Sequence, residues 1–196
     1  MALSKTEFRK TLKERRAALD PELRRIMDGN IRDAVLKSDE WKRAKVVFAY
    51  LSFGDEVGTR MLIKAGLEAG KTVAIPRVVG ERQMAWYRIE SMAELTTPGV
   101  LEKSKYGIDE PREVPERLVD VAAACAEVGP ENAVALVPGL AFDANGYRIG
   151  YGGGFYDVFL ADFPGVSLGL CRRAFYLTEL PFADEHDLPV TRVVTG

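Results

Sequence analysis

The stretch Val46-Val47-Phe48-Ala49-Tyr50-Leu51 is an uninterrupted run of apolar, mostly β-branched or aromatic residues. Such a run, without polar alternation, is typical of a strand buried on both faces of a sheet. Residues 59–69 then show a helical pattern closed by Gly70, and residues 72–75 form a second apolar run before Pro76. This order of strand, helix and strand predicts two parallel strands in one sheet.

Two helices are predicted upstream of the first strand. Ser4 and Glu7 match a capping box, and apolar residues recur at helical spacing from residue 5 to residue 19. Asp20 and Pro21 then end this helix and start a second amphipathic helix, which is predicted over residues 21–38.

The first of these helices has a basic strip beside its apolar stripe. Lys5, Arg9 and Arg16 lie within ~40° of one another on a helical wheel. A helix of this kind can dock through its apolar stripe and present its cations to a neighbouring group. A solvated basic face is the alternative interpretation.

Downstream, strand patterns alternate with helix patterns. Residues 96–115 are rich in proline and glycine and are expected to contain few regular elements, while residues 121–125 fit either a helix or a strand. A further helix is predicted at residues 154–163 and strands at residues 84–89, 133–137, 166–170 and 190–195.

These patterns predict an α/β fold. We expect residues 1–196 to form a single three-layer α/β/α domain with a mostly parallel, Rossmann-like sheet. The N-terminal helices, residues 4–38, are expected to pack on an α/β core formed by residues 45–196.

Composition excludes several classes of protein. The 27 Lys and Arg residues against 29 Asp and Glu residues give a net charge of −2, so nucleic acid and anionic membrane are poor partners and any anion site must be local. Cys125 and Cys171 lack the spacing of a disulfide scaffold or a cysteine zinc site. With one histidine, His186, a multi-histidine zinc site and a Ser/His/Asp hydrolase are both disfavoured.

The N-terminus has no hydrophobic signal segment, which predicts a cytoplasmic protein.

The most unusual segment is the glycine loop, residues 150–154, which contains four glycines: Gly150, Gly152, Gly153 and Gly154. Glycines let backbone amides converge on an anion, and the helix that follows adds its own unpaired amides and partial positive charge. No Gly-Lys-Ser or Gly-Lys-Thr follows, and Phe155 replaces the last glycine of a dinucleotide fingerprint. The loop therefore predicts a phosphate cradle outside those two motifs, with a flexible turn as the alternative.

Three charged residues complete the predicted site. Arg148 adds a full positive charge beside the loop, and Asp157 lies one turn into the helix, where it can hold Mg²⁺ together with phosphate oxygens. Glu56 follows the carboxyl end of the first strand, where open α/β sheets collect ligands. Helix-end stabilisation is the alternative role for both carboxylates.

Taken together, these residues resemble the 5-formyltetrahydrofolate cyclo-ligase family, also called 5,10-methenyltetrahydrofolate synthetase. The resemblance covers nearly the whole chain and rests on Lys5 to Arg9, Leu51 to Glu56, Ile75 to Arg77, Val137 to Asp143, Arg148 to Asp157, His186-Asp187 and Val193 to Thr195.

The resemblance implies an ATP-dependent, Mg²⁺-requiring cyclisation of 5-formyltetrahydrofolate to 5,10-methenyltetrahydrofolate, with release of ADP and phosphate. The formyl oxygen would be phosphorylated, and N10 of the folate would then close the ring. Small molecules would be the only partners, and a monomer is expected. A nucleotide-binding or regulatory protein of the same fold, without turnover, is the alternative.

The resemblance also assigns roles by position. It implies that Arg148 and Asp157 are catalytic and that Asp157 and Asp187 hold Mg²⁺. The implied ATP-binding residues are Lys5, Arg9, Arg148, Gly150, Gly152, Gly153, Gly154 and Tyr156. The implied folate-binding residues are Leu51, Glu56, Tyr151, Gly152, Gly153, Gly154 and Phe155. Phe155 stands where the family often has tyrosine, which removes a hydroxyl from the folate side.

Overall fold

The computed structural model describes residues 4–182 and 187–196 of the chain. The α-helices in this part of the chain are α1 (Lys5–Ala17), α2 (Pro21–Lys37), α3 (Asp39–Arg43), α4 (Arg60–Glu68), α5 (Val121–Val128) and α6 (Phe155–Asp162). The strands are β1 (Val46–Ala49), β2 (Thr72–Gly80), β3 (Gln83–Ile89), β4 (Leu101–Lys103), β5 (Asp109–Pro111), β6 (Leu118–Val119), β7 (Ala133–Val137), β8 (Ala141–Asp143), β9 (Arg148–Ile149), β10 (Val166–Cys171), β11 (Tyr176–Leu177) and β12 (Arg192–Thr195).

The central sheet has seven strands in the order β12-β10-β7-β1-β2-β3-β6. The pairings from β12 to β2 are parallel, and β3 and β6 extend the sheet as an antiparallel edge. Taken in chain order, the five parallel strands run 2-1-3-4-5, which is the flavodoxin-like order of doubly wound sheets. The prediction of a mostly parallel α/β sheet is thus confirmed, and its strand order is now defined.

Helices cover both faces of this sheet. Ile31 of α2 and Leu62 of α4 pack with Val47 of β1 in one hydrophobic cluster. Leu12 of α1 and Cys125 of α5 pack with Phe48 in the other cluster, which also includes α6 residues. Successive residues of β1 therefore face opposite layers, which explains why this strand reads as a continuous apolar run.

The ends of the first two helices follow their capping residues. Ser4 accepts a hydrogen bond from the Glu7 amide while the Glu7 carboxylate accepts one from the Ser4 amide, as the capping-box pattern predicts. Asp20 caps α2, and Pro21 occupies its first turn, where a missing N–H costs little. The observed helices end one or two residues before the predicted ends.

The prediction that Pro76 ends the second strand is wrong, because β2 continues to Gly80. The pairing of β2 with β1 stops at Ala74, so beyond that residue β2 is bonded only to β3. Proline is tolerated where one side of a strand has no neighbour, since no ladder hydrogen bond is lost there.

Two segments without a definite sequence pattern form regular elements. Residues 101–111 form a short antiparallel hairpin, β4–β5, whereas few regular elements were expected there. Arg77 of β2 holds this hairpin through an ion pair to Glu102 and a hydrogen bond to the Pro111 carbonyl at 2.9 Å, and it also pairs with Glu113 just beyond the hairpin. The ambiguous segment at residues 121–125 is helical, and Asp120 caps it by accepting from the Ala123 amide.

None of the helices formed by residues 4–182 and 187–196 is both long enough and apolar enough to cross a membrane.

Candidate active site

The predicted site residues gather at the carboxyl ends of β1 and β7. These neighbouring strands lie at the point where the strand order reverses, and open α/β sheets bind their ligands in the crevice at this point. The segment after β1 contributes Leu51 and Glu56, and the segment after β7 leads through β8 and β9 into the glycine loop. The topology therefore brings together two motifs that lie far apart in the sequence.

A buried aspartate positions the glycine loop. The Asp143 carboxylate accepts hydrogen bonds from the amides of Asn145, Tyr147 and Leu180 at 2.9, 3.0 and 3.1 Å. These bonds fix the turn between β8 and β9, and Arg148 is the first residue of β9. Asp143 lies in one of the segments that resemble the family but has no predicted role. Its contacts make it a structural support of the loop.

Two glycines of the loop adopt conformations that other residues avoid. Gly152 has a φ of 104°, and Gly154, the N-cap of α6, has a φ of 69°. No side chain caps α6, so its first amides remain available to a ligand. Unpaired amides at a helix N-terminus are groups that can bind an anion.

Arg148 and Asp157 form a partly buried ion pair at the base of the loop. Arg148 Nη2 donates to Asp157 Oδ1 at 2.7 Å, and Nη1 donates to the Leu188 carbonyl at 2.8 Å. Burial lowers the pKa of the Arg148 guanidinium, and the charges of Asp157 and Asp187 oppose that change. Arg148 thus lies in the field of both predicted metal ligands.

Helix α1 presents two further cations to the same region. Lys5 Nζ lies 2.8 Å from Asp187 Oδ2, and Arg9 Nε donates to the Gly150 carbonyl at 3.2 Å. Phe8 and Leu12 of this helix pack in the core beneath them. The structure therefore favours a docked helix over a solvated basic face.

Arg16, the third member of the basic strip, has a different position. Its side chain is buried, and it donates to the carbonyls of Gly139, Leu140 and Asp55. The helical wheel places Arg16 beside Lys5 and Arg9, but two turns further along the helix it meets the protein interior rather than the loop.

The loop after β1 is held by a second buried arginine. Arg172 donates to both carboxylate oxygens of Asp28 and to the carbonyls of Asp55 and Glu56, at 2.7 to 2.9 Å. Asp28 in turn accepts a hydrogen bond from the Gly58 amide at 3.1 Å. Neither Arg172 nor Asp28 was predicted as a functional residue, since neither lies in a recognisable motif.

Glu56 lies within this rigid loop and has a perturbed pKa. Its carboxylate accepts a hydrogen bond from the Phe53 amide at 2.9 Å. Burial raises the pKa of Glu56 to about 7, although the Phe53 hydrogen bond and the charge of Arg16 pull it down. A carboxyl group that titrates near neutral pH in a cleft is typical of functional sites.

Three tyrosines lie in the electrostatic field of Glu56. Burial raises the pKa of Tyr151 to about 12, and it also raises the pKa values of Tyr50 and Tyr156, with the charge of Glu56 adding to each. The Tyr50 hydroxyl donates to the Val57 carbonyl at 2.9 Å. Among the described side chains, the buried Tyr156 hydroxyl has no hydrogen-bond partner, which makes it available to a ligand.

The remaining predicted residues fall at different depths. Leu51 is buried in the core at the end of β1, whereas Tyr151 is 44% exposed. The Phe155 ring contacts the Tyr106 ring edge-on at 6.0 Å, so the tip of the β4–β5 hairpin reaches the site. Tyr106 was not predicted as a site residue, because the proline and glycine residues around it indicate only an irregular segment. His186 lies outside the described residues.

Asp157 and Asp187 are suitable ligands for Mg²⁺. Mg²⁺ is usually bound by one or two carboxylates together with phosphate oxygens and water. Both carboxylates act on Arg148, and no cluster of three or more His, Cys, Asp or Glu residues occurs in the described ranges. Two carboxylates beside a phosphate cradle fit a metal that arrives with a nucleotide better than a closed protein cage.

A groove of about 820 Å³ lies at the opposite end of the sheet, where Lys45 and Lys71 precede β1 and β2. It contains neither the glycine loop nor Glu56. This groove is therefore not the candidate active site, because it lacks the predicted site residues.

The fold and this site define an α/β protein with a glycine loop at the N-terminus of α6 and a carboxylate–arginine pair beside it. The sequence profile of the 5-formyltetrahydrofolate cyclo-ligase family matches residues 2–196. The chain belongs to this family of ligases.

Individual relatives agree with this assignment. The chain is 30% identical to a probable 5-formyltetrahydrofolate cyclo-ligase of Schizosaccharomyces pombe over 89% of this chain and 80% of that protein. It is 29% identical to the 5-formyltetrahydrofolate cyclo-ligase of Mus musculus over 97% of this chain and 93% of the mouse protein. The NMR structure of Aquifex aeolicus 5,10-methenyltetrahydrofolate synthetase superposes with a TM-score of 0.77 at 30% identity, covering 98% of this chain and 89% of that one.

Proposed function

We propose that this protein catalyses the ATP- and Mg²⁺-dependent cyclisation of 5-formyltetrahydrofolate to 5,10-methenyltetrahydrofolate, with release of ADP and phosphate. The observation that carries the proposal is the position of the glycine loop. Arg9 donates to its Gly150 carbonyl, Arg148 lies two residues before it, and the segment that holds Glu56 follows the neighbouring strand. An anion and a second substrate can thus meet across one loop.

The reaction proceeds in two displacements. The formyl oxygen attacks the γ-phosphorus of ATP, a P–O bond forms, and the bond to ADP breaks. N10 of the folate then attacks the activated formyl carbon and loses its proton, and the C–O bond breaks as phosphate leaves. Phosphorylation converts the oxygen, a poor leaving group, into a good one.

On the nucleotide side, the protein positions the phosphates and neutralises their charge. Phosphoryl transfer depends mainly on these two effects and needs no covalent nucleophile. Lys5, Arg9 and Arg148 supply positive charge, while the amides of the glycine loop and of the α6 N-terminus supply hydrogen bonds. Tyr156 offers its unpartnered hydroxyl to the same ligand.

Asp157 and Asp187 would hold the Mg²⁺ ion, because both approach Arg148 beside the phosphate cradle. When bound, the ion would neutralise charge on the transferred phosphoryl group. Arg148 and Lys5 pair with these carboxylates in the structure and would exchange that contact for phosphate oxygens as the nucleotide enters.

On the folate side, Glu56 is the principal polar contact. Its carboxyl group titrates near neutral pH, so it can accept hydrogen bonds from ring N–H groups of the substrate when ionised. Tyr151 provides aromatic surface within the electrostatic field of Glu56, Phe155 adds a second ring at the start of α6, and Leu51 is buried just after β1.

The proposal includes a monomeric, cytoplasmic protein in which residues 1–196 act as one domain. Cys125 and Cys171 are both free and buried, as expected in a reducing compartment. Helices α1 and α2 cover opposite faces of the same sheet, which supports a single domain.

The direct test is to mix the protein with MgATP and 5-formyltetrahydrofolate and to follow the absorbance of the methenyl product. Product should form only when ATP, Mg²⁺ and folate are all present, and a chelator should stop it. ATP binding without product formation would instead support a nucleotide-binding or regulatory protein of this fold.

A further inference from the structure

The tip of the β2–β3 hairpin carries an arginine, Arg82, that lies in none of the predicted motifs. Gly80 pairs with Gln83, so Glu81 and Arg82 form the tip. Arg82 has a φ of 56°, and it is the one non-glycine residue with a positive φ in the described part of the chain. This conformation favours glycine or asparagine, and the turn explains the backbone angle but not the choice of arginine.

The Arg82 side chain lies against the glycine loop. A Cβ atom placed on Gly154 would lie 3.0 Å from Arg82 Nε and 3.2 Å from Arg82 Cζ. The guanidinium therefore rests on the backbone of the residue that caps α6. A side chain at position 154 would displace it.

Arg82 differs from the other arginines of its hairpin in having no anionic partner. Arg77 pairs with Glu102 and Glu113, and Arg88 pairs with Glu90. Among residues 4–182 and 187–196, no carboxylate lies within ion-pair distance of Arg82.

This unpaired cation lies next to a helix N-terminus, which carries partial positive charge of its own. Two adjacent positive features repel each other, and an anion bound between them would reverse the sign of that interaction. An anion is therefore the ligand that this juxtaposition favours.

A second guanidinium approaches the same loop near its other end. A Cβ atom placed on Gly152 would lie 3.8 Å from Arg9 Cζ, and Arg9 Nε donates to the Gly150 carbonyl. Arg9 comes from α1 and Arg82 from the β2–β3 tip, so the loop lies between cations from two separate elements. An anion with several charged groups would contact both.

We propose that Arg82 is a further nucleotide-binding residue that donates to the phosphates of the bound ATP from the end of the glycine loop away from Arg9. The inference rests on the proposed function for the identity of the nucleotide. Phosphate is favoured over a substrate carboxylate because the loop and the helix N-terminus present several amides to one anion.

The test compares Arg82→Gln with the wild-type protein. Glutamine keeps most of the side-chain length and meets the same backbone constraint, but it removes the charge. Arg88→Gln is the matched control, since Arg88 is an exposed arginine of the same hairpin whose partner is Glu90. Affinity for a non-hydrolysable MgATP analogue is measured by calorimetric titration, and KM is measured separately for ATP and for folate.

We expect Arg82→Gln to bind the analogue about five- to tenfold more weakly and to show a similar rise in KM for ATP, as is typical for loss of one partly exposed charged hydrogen bond. The KM for folate and all properties of Arg88→Gln should stay within about twofold of wild type, a margin that corresponds to a few tenths of a kcal/mol. Unchanged nucleotide affinity in Arg82→Gln would overturn the inference. A rise in folate KM alone would also overturn it, by showing that Arg82 binds a substrate carboxylate.

Failure of the proposed function would look different. In that case the wild-type protein itself would not form the methenyl product, whereas failure of the Arg82 inference leaves wild-type turnover intact.

Discussion

Arg172 and Asp28 form a two-point ion pair, with Nε to Oδ1 at 2.7 Å and Nη2 to Oδ2 at 2.9 Å. The same guanidinium donates to the carbonyls of Asp55 and Glu56. This single buried side chain therefore links α2, the end of β10 and the loop that carries the candidate folate-binding carboxylate. The position of Glu56 depends on a residue that touches no substrate.

Replacing Arg172 with methionine should destabilise the protein and weaken folate binding. The change removes the Arg172 guanidinium from Asp28 and from two carbonyls, and breaking such a buried pair typically costs about 3 kcal/mol or more. Urea unfolding and the KM for folate are the measurements. Arg192→Met is the control, because Arg192 forms a more exposed pair with Glu40 and should lose less than about 1 kcal/mol. Equal stability of the two variants would show that Arg172 does not support the loop.

The raised pKa of Glu56 predicts a pH-dependent cost to stability. Since the pKa of Glu56 is about 7 in the folded protein and near 4.5 when unfolded, the folded state holds more protons between these values. The contribution of Glu56 to the free energy of unfolding therefore falls as pH rises from about 4.5 to about 7 and is constant above that range.

Glu56→Gln removes this titration. We expect the melting temperature of Glu56→Gln, relative to wild type, to be higher at pH 8 than at pH 5, while the KM for folate rises. Glu127→Gln, at an exposed position on α5, should show no such pH dependence. A stability difference between Glu56→Gln and wild type that is the same at both pH values would contradict the assignment of the raised pKa.

The contacts of helix α1 predict that loss of the Arg9 side chain lowers activity but leaves stability nearly unchanged. Arg9→Ala should lower kcat/KM for ATP by at least about tenfold, because one charged hydrogen bond contributes roughly 1.5 kcal/mol or more. Its melting temperature should change little, since its one hydrogen bond to the protein is to the Gly150 carbonyl. Lys10→Ala is the control one residue away, where the side chain is 79% exposed. Kinetics of Arg9→Ala that match those of Lys10→Ala would make α1 purely structural.

The proposed metal-binding role of Asp157 can be separated from helix capping. Asp157→Asn keeps the shape of the side chain but removes the charge, so turnover should fall by on the order of 100-fold and the Mg²⁺ requirement should shift to higher concentration. Asp162→Asn, at the other end of α6, should retain activity. If Asp157→Asn kept the wild-type Mg²⁺ dependence, Asp157 would serve only the helix N-terminus.

Local patterns predicted the elements that frame the site. The buried strands β1 and β7 and the glycine loop can be read from a few neighbouring residues, since apolar runs and glycine clusters act locally. The flavodoxin-like order of the strands cannot be read this way, because it depends on which strands pair across the sheet.

The contacts that support the site could not be predicted either, because they also join residues that are far apart in the sequence. Arg172 and Asp28 are 144 residues apart, and neither lies in a local pattern. Arg16 shares a helical face with Lys5 and Arg9, and only the packing of α1 on the segment before β8 shows that Arg16 is buried. Proline breaks strands in general, but Pro76 lies two residues beyond Ala74, the last residue of β2 that pairs with β1.

The central claim is that ATP cleavage and ring closure are coupled at one loop, and the most direct measurement is the ratio of ADP to methenyl product in a single reaction. With 5-formyltetrahydrofolate in excess over ATP and with Mg²⁺ present, we expect equal amounts of both products throughout the reaction, and neither product when folate or Mg²⁺ is omitted. Methenyl product formed without ADP, or ADP formed without methenyl product, would show that the two steps are not coupled.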